Sequence, residues 1–276
     1  MCAIALAEDL NSPQGSDITA ELIPEQTQAN ATLITREDAV ICGVNWVEKI
    51  YQLLGNDVQV KWKVADGSIV EAGDTICEIS GNARQLLTGE RAAMNFLQSL
   101  SATATLTNQY VELIKKTQCK LLDTRKTVPG MRYGQKYAVK CGGGVNHRIG
   151  LSDAYLIKEN HIMACGGILA ALSQAKTQHP NTMVEIEVES LQELKLAIEG
   201  KADVIMLDNF DIEQLKRARS LVDSTAPTIK LEASGNVNKQ TIADIAATGV
   251  DFISVGALTK DIKAVDLSLR INLTTK

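Results

Sequence analysis

A repeated unit in the second half of the sequence constrains the fold more than any other feature. After Cys119, six apolar runs each end at a polar residue or a glycine, and four of them are followed by helical apolar spacing. The runs cover 121–123, 154–158, 183–188, 203–208, 228–234 and 250–256, and the helical segments cover 168–177, 190–199, 212–222 and 238–248. Repeated βα units with short links predict parallel strands, in an α/β barrel or a doubly wound sheet. No Gly-x-Gly-x-x-Gly follows the first strand, so the sequence does not favour a dinucleotide-binding fold.

The first part of the sequence has a different pattern. Short alternating segments at 31–35, 58–64 and 75–79 are separated by turn signals, and they predict strands of a small mixed sheet. Helical spacing at 38–54 and 86–114 predicts two helices, of which the second carries the chain onward. The predicted domains are therefore residues 1–105, joined by the C-terminal segment 265–276, and residues 106–264.

Side-chain parity divides the predicted strands into an aliphatic face and a charged face. Glu185 and Glu187 share one face of their strand, and the apolar residues between them share the other. If the charged face points into a barrel, its charges must pair or be used. Pairing of Lys230 with Glu232 or Glu185 is one alternative. The residues at the carboxyl ends of the strands, where barrel active sites form, are Lys158, Glu187, Asp208, Ser234 and Gly256.

A basic segment at 123–148 indicates a site for a multiply negative small ligand. It sets six cations against one acid in a chain of net charge −5, and three glycines precede Asn146, His147 and Arg148. Guanidinium groups match carboxylate or phosphate oxygens, and glycine leaves backbone N–H groups accessible. The alternative is a solvated basic surface, but the segment lacks the Lys/Glu alternation of such a surface. The cations are Arg125, Lys126, Arg132, Lys136, Lys140 and Arg148.

Two further patterns suggest a phosphate and a metal ion. Glu187 and Asp208 end neighbouring strands and are predicted to hold Mg²⁺, although each could instead pair with a lysine or arginine. The turns 234–236 and 256–257 follow the last two strands, which is a usual place for a phosphate. Of the other histidines, His161 is either a support for the site or a core residue, and His179 is predicted to be inert.

Composition excludes several other functions. Aromatic residues make up 4% of the chain, and the net charge is negative, so nucleic-acid binding is not expected. No apolar run approaches the roughly 18 residues that span a bilayer, and the amino terminus does not resemble a signal peptide. The six cysteines lack zinc-ligand spacing and predict reduced thiols, so a cytoplasmic location is expected. A nucleophilic role for Cys141 has no second feature in its favour.

Several motifs together resemble one family. They are Gly89-Glu-Arg91 with Asn95, Leu122-Asp-Thr-Arg-Lys-Thr-Val-Pro-Gly130, Cys141-Gly-Gly-Gly-Val-Asn-His-Arg148, Ile157-Lys-Glu-Asn-His161, Val184-Glu-Ile-Glu-Val188, Met206-Leu-Asp-Asn-Phe210 and Glu232-Ala-Ser-Gly235. In this order they resemble the quinolinate phosphoribosyltransferase family, also called nicotinate-nucleotide pyrophosphorylase (carboxylating). The resemblance implies an N-terminal α/β sandwich and an incomplete, seven-stranded α/β barrel. It also implies a homodimer, with a hexamer as a further possibility, in which the partner subunit completes each active site.

The resemblance also implies an activity and roles for individual residues. Quinolinate and 5-phosphoribosyl 1-diphosphate would give nicotinate mononucleotide, CO₂ and pyrophosphate. Arg91 would reach quinolinate from the partner subunit, and Lys158, Glu187 and Asp208 would be catalytic, with the last two holding Mg²⁺. The residues implied to bind the substrates are Arg91, Thr124, Arg125, Lys126, His147, Arg148, Lys158, Glu187, Asp208, Ser234, Gly235, Asn236, Gly256 and Ala257.

Two departures and three alternatives accompany the resemblance. Ser101-Ala-Thr-Ala-Thr105 differs from the usual Ser-Gly-Ile/Val-Ala-Thr, and the chain starts close to Glu8, without most of the expected N-terminal helix.

The first alternative is a paralogue associated with molybdenum transport, and the second is a Schiff-base aldolase that uses Lys158. The third is a phosphate-binding protein without catalysis.

Overall fold

A computed structural model describes residues 1–13 and 15–274 of the chain. The strands are β1 Gln28–Thr35, β2 Ala39–Val40, β3 Val58–Trp62, β4 Ile69–Val70, β5 Thr75–Asn82, β6 Lys120–Leu122, β7 Tyr155–Ile157, β8 Val184–Val188, β9 Val204–Asp208, β10 Lys230–Ser234, β11 Phe252–Ser254 and β12 Leu267–Thr274. The helices are α1 Cys2–Asp9, α2 Val44–Leu54, α3 Ala83–Ile114, α4 Arg132–Cys141, α5 Glu159–Cys165, α6 Ile168–Gln178, α7 Leu191–Glu199, α8 Ile212–Thr225, α9 Ile242–Ala246 and α10 Ala257–Lys260, with a 3₁₀ turn at Ala20–Leu22.

The chain forms two compact units that interleave along the sequence. Among the described residues, the first unit takes 1–108, 128–143 and 261–274, and the second takes 109–127 and 144–260. The predicted limits, 1–105 with 265–276 and 106–264, remain a prediction in detail, and residues 275–276 lie outside the described part. The main difference is that 128–143, which the sequence analysis assigned to the second domain, clusters with the first unit.

The first unit is built on a four-stranded sheet with the order β12-β1-β5-β3. Every strand pair in this sheet is antiparallel, so the expectation of a mixed sheet was wrong. Strand β1 alternates buried Ala29, Ala31 and Leu33 with more exposed residues, which is the pattern of a sheet covered on one face. These residues share a core with Ile50 of α2 and Leu86 of α3.

The second unit contains a parallel sheet of six strands, in the order β6-β11-β10-β9-β8-β7. All six predicted strands are present, and helices follow them, which confirms the α/β class. The resemblance implies seven barrel strands, whereas the sheet in the described part of the chain has six. One isolated parallel bridge also joins Leu122 and Val145. The apolar residues Ile186, Ile205, Leu231 and Ile253 are fully buried and form the aliphatic face that parity predicted.

Capped helices follow two of the central strands and fix the ends of those strands. Ser190 accepts a hydrogen bond from the Glu193 N–H at 3.2 Å and begins α7. Asp211 and Gln214 form a reciprocal capping box at the start of α8, with bonds of 2.8 and 2.9 Å. Such caps end β8 and β9 within a few residues and set their carboxyl ends at one edge of the sheet. No helix in the described part of the chain is long and apolar enough to cross a membrane.

Candidate active site

A cavity of about 170 Å³ lies at the carboxyl ends of the parallel strands. Apolar and polar residues of the sheet line its lower part: Leu156, Met206, Glu232 and Ser254. Seven of the predicted site residues line the rest of it: Thr124, Arg125, Lys126, His147, Arg148, Lys158 and Ser234. All eleven belong to the second unit, so residues from three separate loops and four strands converge here, as the strand-end argument predicted.

Two arginines of the cavity each have a buried N–H donor that makes no hydrogen bond within the described residues. The Nε atoms of Arg125 and Arg148 are buried, and neither has a hydrogen-bond partner in the described part of the chain. Burial lowers the pKa of Arg148, and the nearby charge of Arg125 lowers it further. A buried donor without a partner is costly, and so are two half-buried cations side by side. The arrangement therefore suits a ligand that brings at least two negative charges.

The loop that carries Arg148 is fixed by hydrogen bonds to buried groups. The His147 N–H donates to Oδ1 of the fully buried Asp123 at 2.9 Å, and the Arg148 N–H donates to Nδ1 of His147 at 2.7 Å. Nε2 of His147 lies 2.7 Å from Oε2 of Glu185. Both ring nitrogens therefore face groups of the protein, whereas the resemblance implied that His147 binds a substrate.

Two carboxyl groups lie beneath the cations. Glu185 is 1% exposed and Glu232 is 0% exposed, and Nε2 of His147 lies 3.5 Å from Oε2 of Glu232. Burial raises the pKa of Glu185 to about 7. Burial also raises the pKa of Glu232 well above its usual range, and the neighbouring Glu185 carboxyl raises it further. The parity argument placed both residues on the inward face, but it assigned neither of them a role in the site.

Lys158 lies directly after β7 and forms an ion pair with Glu187 of β8. The Lys158 N–H donates to Nδ1 of His161 at 3.0 Å, at the start of α5. His161 therefore supports the turn that carries Lys158, which is one of the two predicted alternatives. The alternative in which Lys230 pairs with Glu232 or Glu185 is not the one found, because the Lys230 ammonium lies 2.8 Å from Oδ1 of Asp251.

Asp208 ends β9, and Asn209 connects it to the turn after β10. Burial raises the pKa of Asp208, and the neighbouring Glu187 carboxylate raises it further, so the two acids are close in space. The Asn209 side-chain amide donates to Oδ2 of Asp208 at 2.8 Å, and its backbone N–H donates to the Ser234 carbonyl at 2.9 Å. Asn236 donates to Oδ1 of Asn209 at 3.4 Å. The sequence analysis missed Asn209, although it stands directly after a strand-end aspartate.

The last predicted turn lies beside Lys126. A β-carbon on Gly256 would be 3.0 Å from Cδ of Lys126 and 3.6 Å from Oγ1 of Thr124. The carbonyl of Lys126 accepts a hydrogen bond from the Thr259 hydroxyl at 2.8 Å, within α10, which begins at Ala257. These contacts hold the loop after β6 against the turn after β11.

The remaining predicted residues lie elsewhere. Arg91 is exposed on α3 in the first unit, and Arg132, Lys136 and Lys140 lie on α4 in the same unit, as does Cys141. The basic segment is thus divided between the two units, and only Arg125, Lys126 and Arg148 of its six cations line the cavity. Glu187 and Asp208 lie near the cavity without lining it; Glu187 lines a neighbouring acidic depression with Glu159, Glu189 and Glu193.

Comparison with known families gives matches along nearly the whole chain. The family model described as quinolinate phosphoribosyl transferase, N-terminal domain, matches residues 17–101. The model described as quinolinate phosphoribosyl transferase, C-terminal domain, matches residues 103–270. Between them the two models include every residue that lines the cavity.

Individual proteins give the same result. A Mycobacterium leprae protein named nicotinate-nucleotide pyrophosphorylase (carboxylating) is 40% identical over 96% of this chain and 94% of its own. A Bacillus subtilis protein named probable nicotinate-nucleotide pyrophosphorylase (carboxylating) is 37% identical over 94% of this chain and 89% of its own. The solved structure of the nicotinate-nucleotide pyrophosphorylase from Francisella tularensis is 49% identical, with a TM-score of 0.93 over 98% of this chain and 94% of that chain.

Proposed function

The chain belongs to the quinolinate phosphoribosyl transferase family, and from this premise we propose how its residues carry out the family reaction. The reaction transfers a phosphoribosyl group from 5-phosphoribosyl 1-diphosphate to quinolinate, with loss of CO₂. It gives nicotinate mononucleotide and pyrophosphate and is part of NAD biosynthesis.

The observation that carries our assignment of the quinolinate site is the pair of half-buried guanidinium groups, each with a buried Nε atom. Quinolinate has two adjacent carboxylates on a flat pyridine ring, and Arg125 and Arg148 have buried donors without partners in the described part of the chain. A dianion would relieve both the missing hydrogen bonds and the repulsion between the two cations. Thr124 and Lys158, which line the same cavity, complete the proposed carboxylate site.

We assign His147 a positioning role, which differs from the substrate-binding role that the resemblance implies. Because its Nδ1 accepts a hydrogen bond from the Arg148 N–H and its Nε2 faces Glu185, its ring orients the Arg148 loop. His147 is therefore proposed to position Arg148 and to act on quinolinate through that arginine.

The phosphoribosyl donor is proposed to bind between the loop after β6 and the turns after β10 and β11. Lys126 lies against Gly256, so its ammonium can reach a phosphate held at that turn. Backbone N–H groups at the two turns would add donors for the 5-phosphate. The residues assigned to the donor are Lys126, Ser234, Gly235, Asn236, Gly256 and Ala257.

Glu187 and Asp208 are proposed to hold Mg²⁺ and to face the ribose hydroxyls. Burial and the neighbouring Glu187 carboxylate raise the pKa of Asp208, and two neighbouring carboxylates form a suitable site for a hard dication, which prefers oxygen ligands. When bound, the ion neutralises charge on the pyrophosphate leaving group. Asn209 holds Asp208 in place, and the ion pair with Lys158 orients Glu187.

The proposed mechanism needs no covalent intermediate with the protein. The cations hold quinolinate so that its ring nitrogen faces the anomeric carbon of the ribose, and loss of pyrophosphate leaves positive charge that nearby carboxylates stabilise. Ribosylation makes the ring nitrogen cationic, and this charge then stabilises the electron pair left by departing CO₂. The side-chain nitrogen of Lys158, which a Schiff base would use, is held in an ion pair with Glu187.

We propose a homodimer in which Arg91, exposed on α3, contributes to the quinolinate site of the partner subunit. A cytoplasmic location remains a prediction.

The experiment that tests this function is incubation with quinolinate, 5-phosphoribosyl 1-diphosphate and Mg²⁺, with pyrophosphate and mononucleotide measured together. Equal amounts of both products support the proposal. Binding of the donor without pyrophosphate release would instead indicate a phosphate-binding protein, and trapping of a substrate on Lys158 by borohydride would indicate an aldolase.

A further inference from the structure

We propose that Glu232 donates the proton that replaces the departing carboxylate on the pyridine ring. This inference rests on the proposed function, since it names the proton donor of that same reaction. It concerns a residue that the motif analysis left without a role, and whose side chain is fully buried beneath the substrate cavity.

The position of Glu232 suits a group that acts on the ring. It lines the cavity together with Arg125, Arg148 and Lys158, which are assigned to the carboxylates of quinolinate. Glu232 lies in the middle of β10 and pairs in register with Met206 of β9, so the sheet holds it rigidly. A ligand clamped by the cations above would therefore lie over this carboxyl group.

The surroundings of Glu232 keep a proton on it. Nδ1 of His147 accepts a hydrogen bond and therefore carries no hydrogen, so the ring is the neutral tautomer with its hydrogen on Nε2. Nε2 lies 2.7 Å from Glu185, and no lysine or arginine in the described part of the chain forms an ion pair with Glu232. Two adjacent buried carboxyl groups cannot both be ionised, and the nearby charges of Arg148 and Lys158 favour the ionised form of Glu185, which leaves the proton on Glu232. Consistent with this, burial and the Glu185 charge both raise the pKa of Glu232.

The reaction needs one proton at this point. When CO₂ leaves carbon 2 of the ring, the electron pair of the broken C–C bond stays on that carbon, next to the cationic nitrogen. The O–H bond of Glu232 then breaks, a C–H bond forms at carbon 2, and Glu232 becomes a carboxylate. Solvent water restores the proton to Glu232 after the product has left. Arginine, lysine and neutral histidine in the cavity are weaker acids than a carboxylic acid.

A single-turnover experiment separates this step from the steps before it. Pyrophosphate reports ribosyl transfer, and labelled CO₂ reports decarboxylation followed by protonation, because an unprotonated carbon recaptures CO₂. In Glu232→Gln, which keeps the shape but cannot donate a carboxyl proton, we expect pyrophosphate within about threefold of wild type and CO₂ release about 100-fold slower. A ribosylated intermediate that retains both carboxylates should accumulate.

Glu232→Asp is the matched variant, because it keeps the acid and shortens the side chain. We expect it to recover at least about tenfold of the lost CO₂ rate. Equal slowing of pyrophosphate and CO₂ in both variants would make Glu232 a structural residue and overturn the proposal, as would unchanged rates in Glu232→Gln. A wild-type chain that forms no pyrophosphate from quinolinate would contradict the proposed function itself, which distinguishes the two failures.

Discussion

A β-carbon on Gly235 would lie 2.1 Å from Oδ1 of Asn209, so the turn after β10 closes against the residue that follows Asp208. Gly235 also has φ +92°, which glycine adopts without steric cost. The same asparagine donates to Asp208 and to the Ser234 carbonyl. The proposed phosphate turn and the proposed metal ligand are therefore connected through one side chain.

Gly235→Ala should impair binding of the phosphoribosyl donor and leave binding of quinolinate nearly unchanged. The new methyl group must displace Asn209, so we expect the KM for 5-phosphoribosyl 1-diphosphate to rise about 10- to 100-fold, while the affinity for quinolinate changes little. Gly166→Ala is the control, since Gly166 has φ +85° and no atom within 4 Å of an added β-carbon. Steady-state kinetics with each substrate varied in turn measure both effects. Equal effects of the two variants would mean that backbone strain alone is responsible.

Arg148→Ala should lose activity far more than stability. Removing a cation that faces an anionic ligand is expected to lower kcat/KM for quinolinate by about 100-fold or more, whereas it relieves repulsion with Arg125 in the empty site. Arg217→Ala, on the exposed face of α8, is the control. Kinetics and urea unfolding should be measured on the same preparations. A parallel loss of activity and of unfolding free energy would make Arg148 a structural residue.

Glu232→Gln should change the pH dependence of stability. A carboxyl group whose pKa is raised by folding contributes fully below its ordinary pKa, and that contribution is lost as the pH rises through the folded value. The wild type should therefore lose stability between pH 5 and pH 8. The variant should lose less stability over this range, because it has no carboxyl group to titrate at this position. Urea unfolding at pH 5 and pH 8 measures this change, and Glu199→Gln is the control because Glu199 is exposed. An equal change in unfolding free energy in all three proteins would contradict the prediction.

Mixing two inactive variants tests the shared site. If Arg91 acts on the partner subunit, dimers that combine Arg91→Ala with Arg148→Ala contain one intact site. Half of the dimers in an equal mixture are of this kind, so refolding the two variants together should recover about a quarter of wild-type activity. If Arg91 acted within its own subunit, no dimer would contain an intact site, and the mixture would stay inactive.

Much of the parallel sheet could be predicted because its signals are local. Alternation along β8 and β10 placed Glu185, Glu187 and Glu232 on one face, and the polar residues that end the runs identified the edge of the sheet where the cavity lies. These patterns depend only on the two-residue period of a strand and on the common direction of parallel strands.

The domain division and the partners of individual side chains depend on which groups from distant parts of the sequence come into contact. A local sequence pattern does not contain that information. The division of 123–148 between two units follows from long-range packing of α4, because the basic charges themselves are alike on both sides of the division. The partners of His147 and of Asn209 come from other strands. Lys230 pairs with Asp251, and not with Glu232 or Glu185, which strand parity placed on the same face as Lys230.

The most direct test of the central claim compares two substrates that differ by one carboxylate. Quinolinate and nicotinate should each be incubated with the chain, 5-phosphoribosyl 1-diphosphate and Mg²⁺, and mononucleotide formation should be followed. The two half-buried arginines of the cavity favour a dicarboxylate, so we predict nicotinate mononucleotide and CO₂ from quinolinate and at least about 100-fold less product from nicotinate. Turnover of nicotinate without turnover of quinolinate would contradict the assignment.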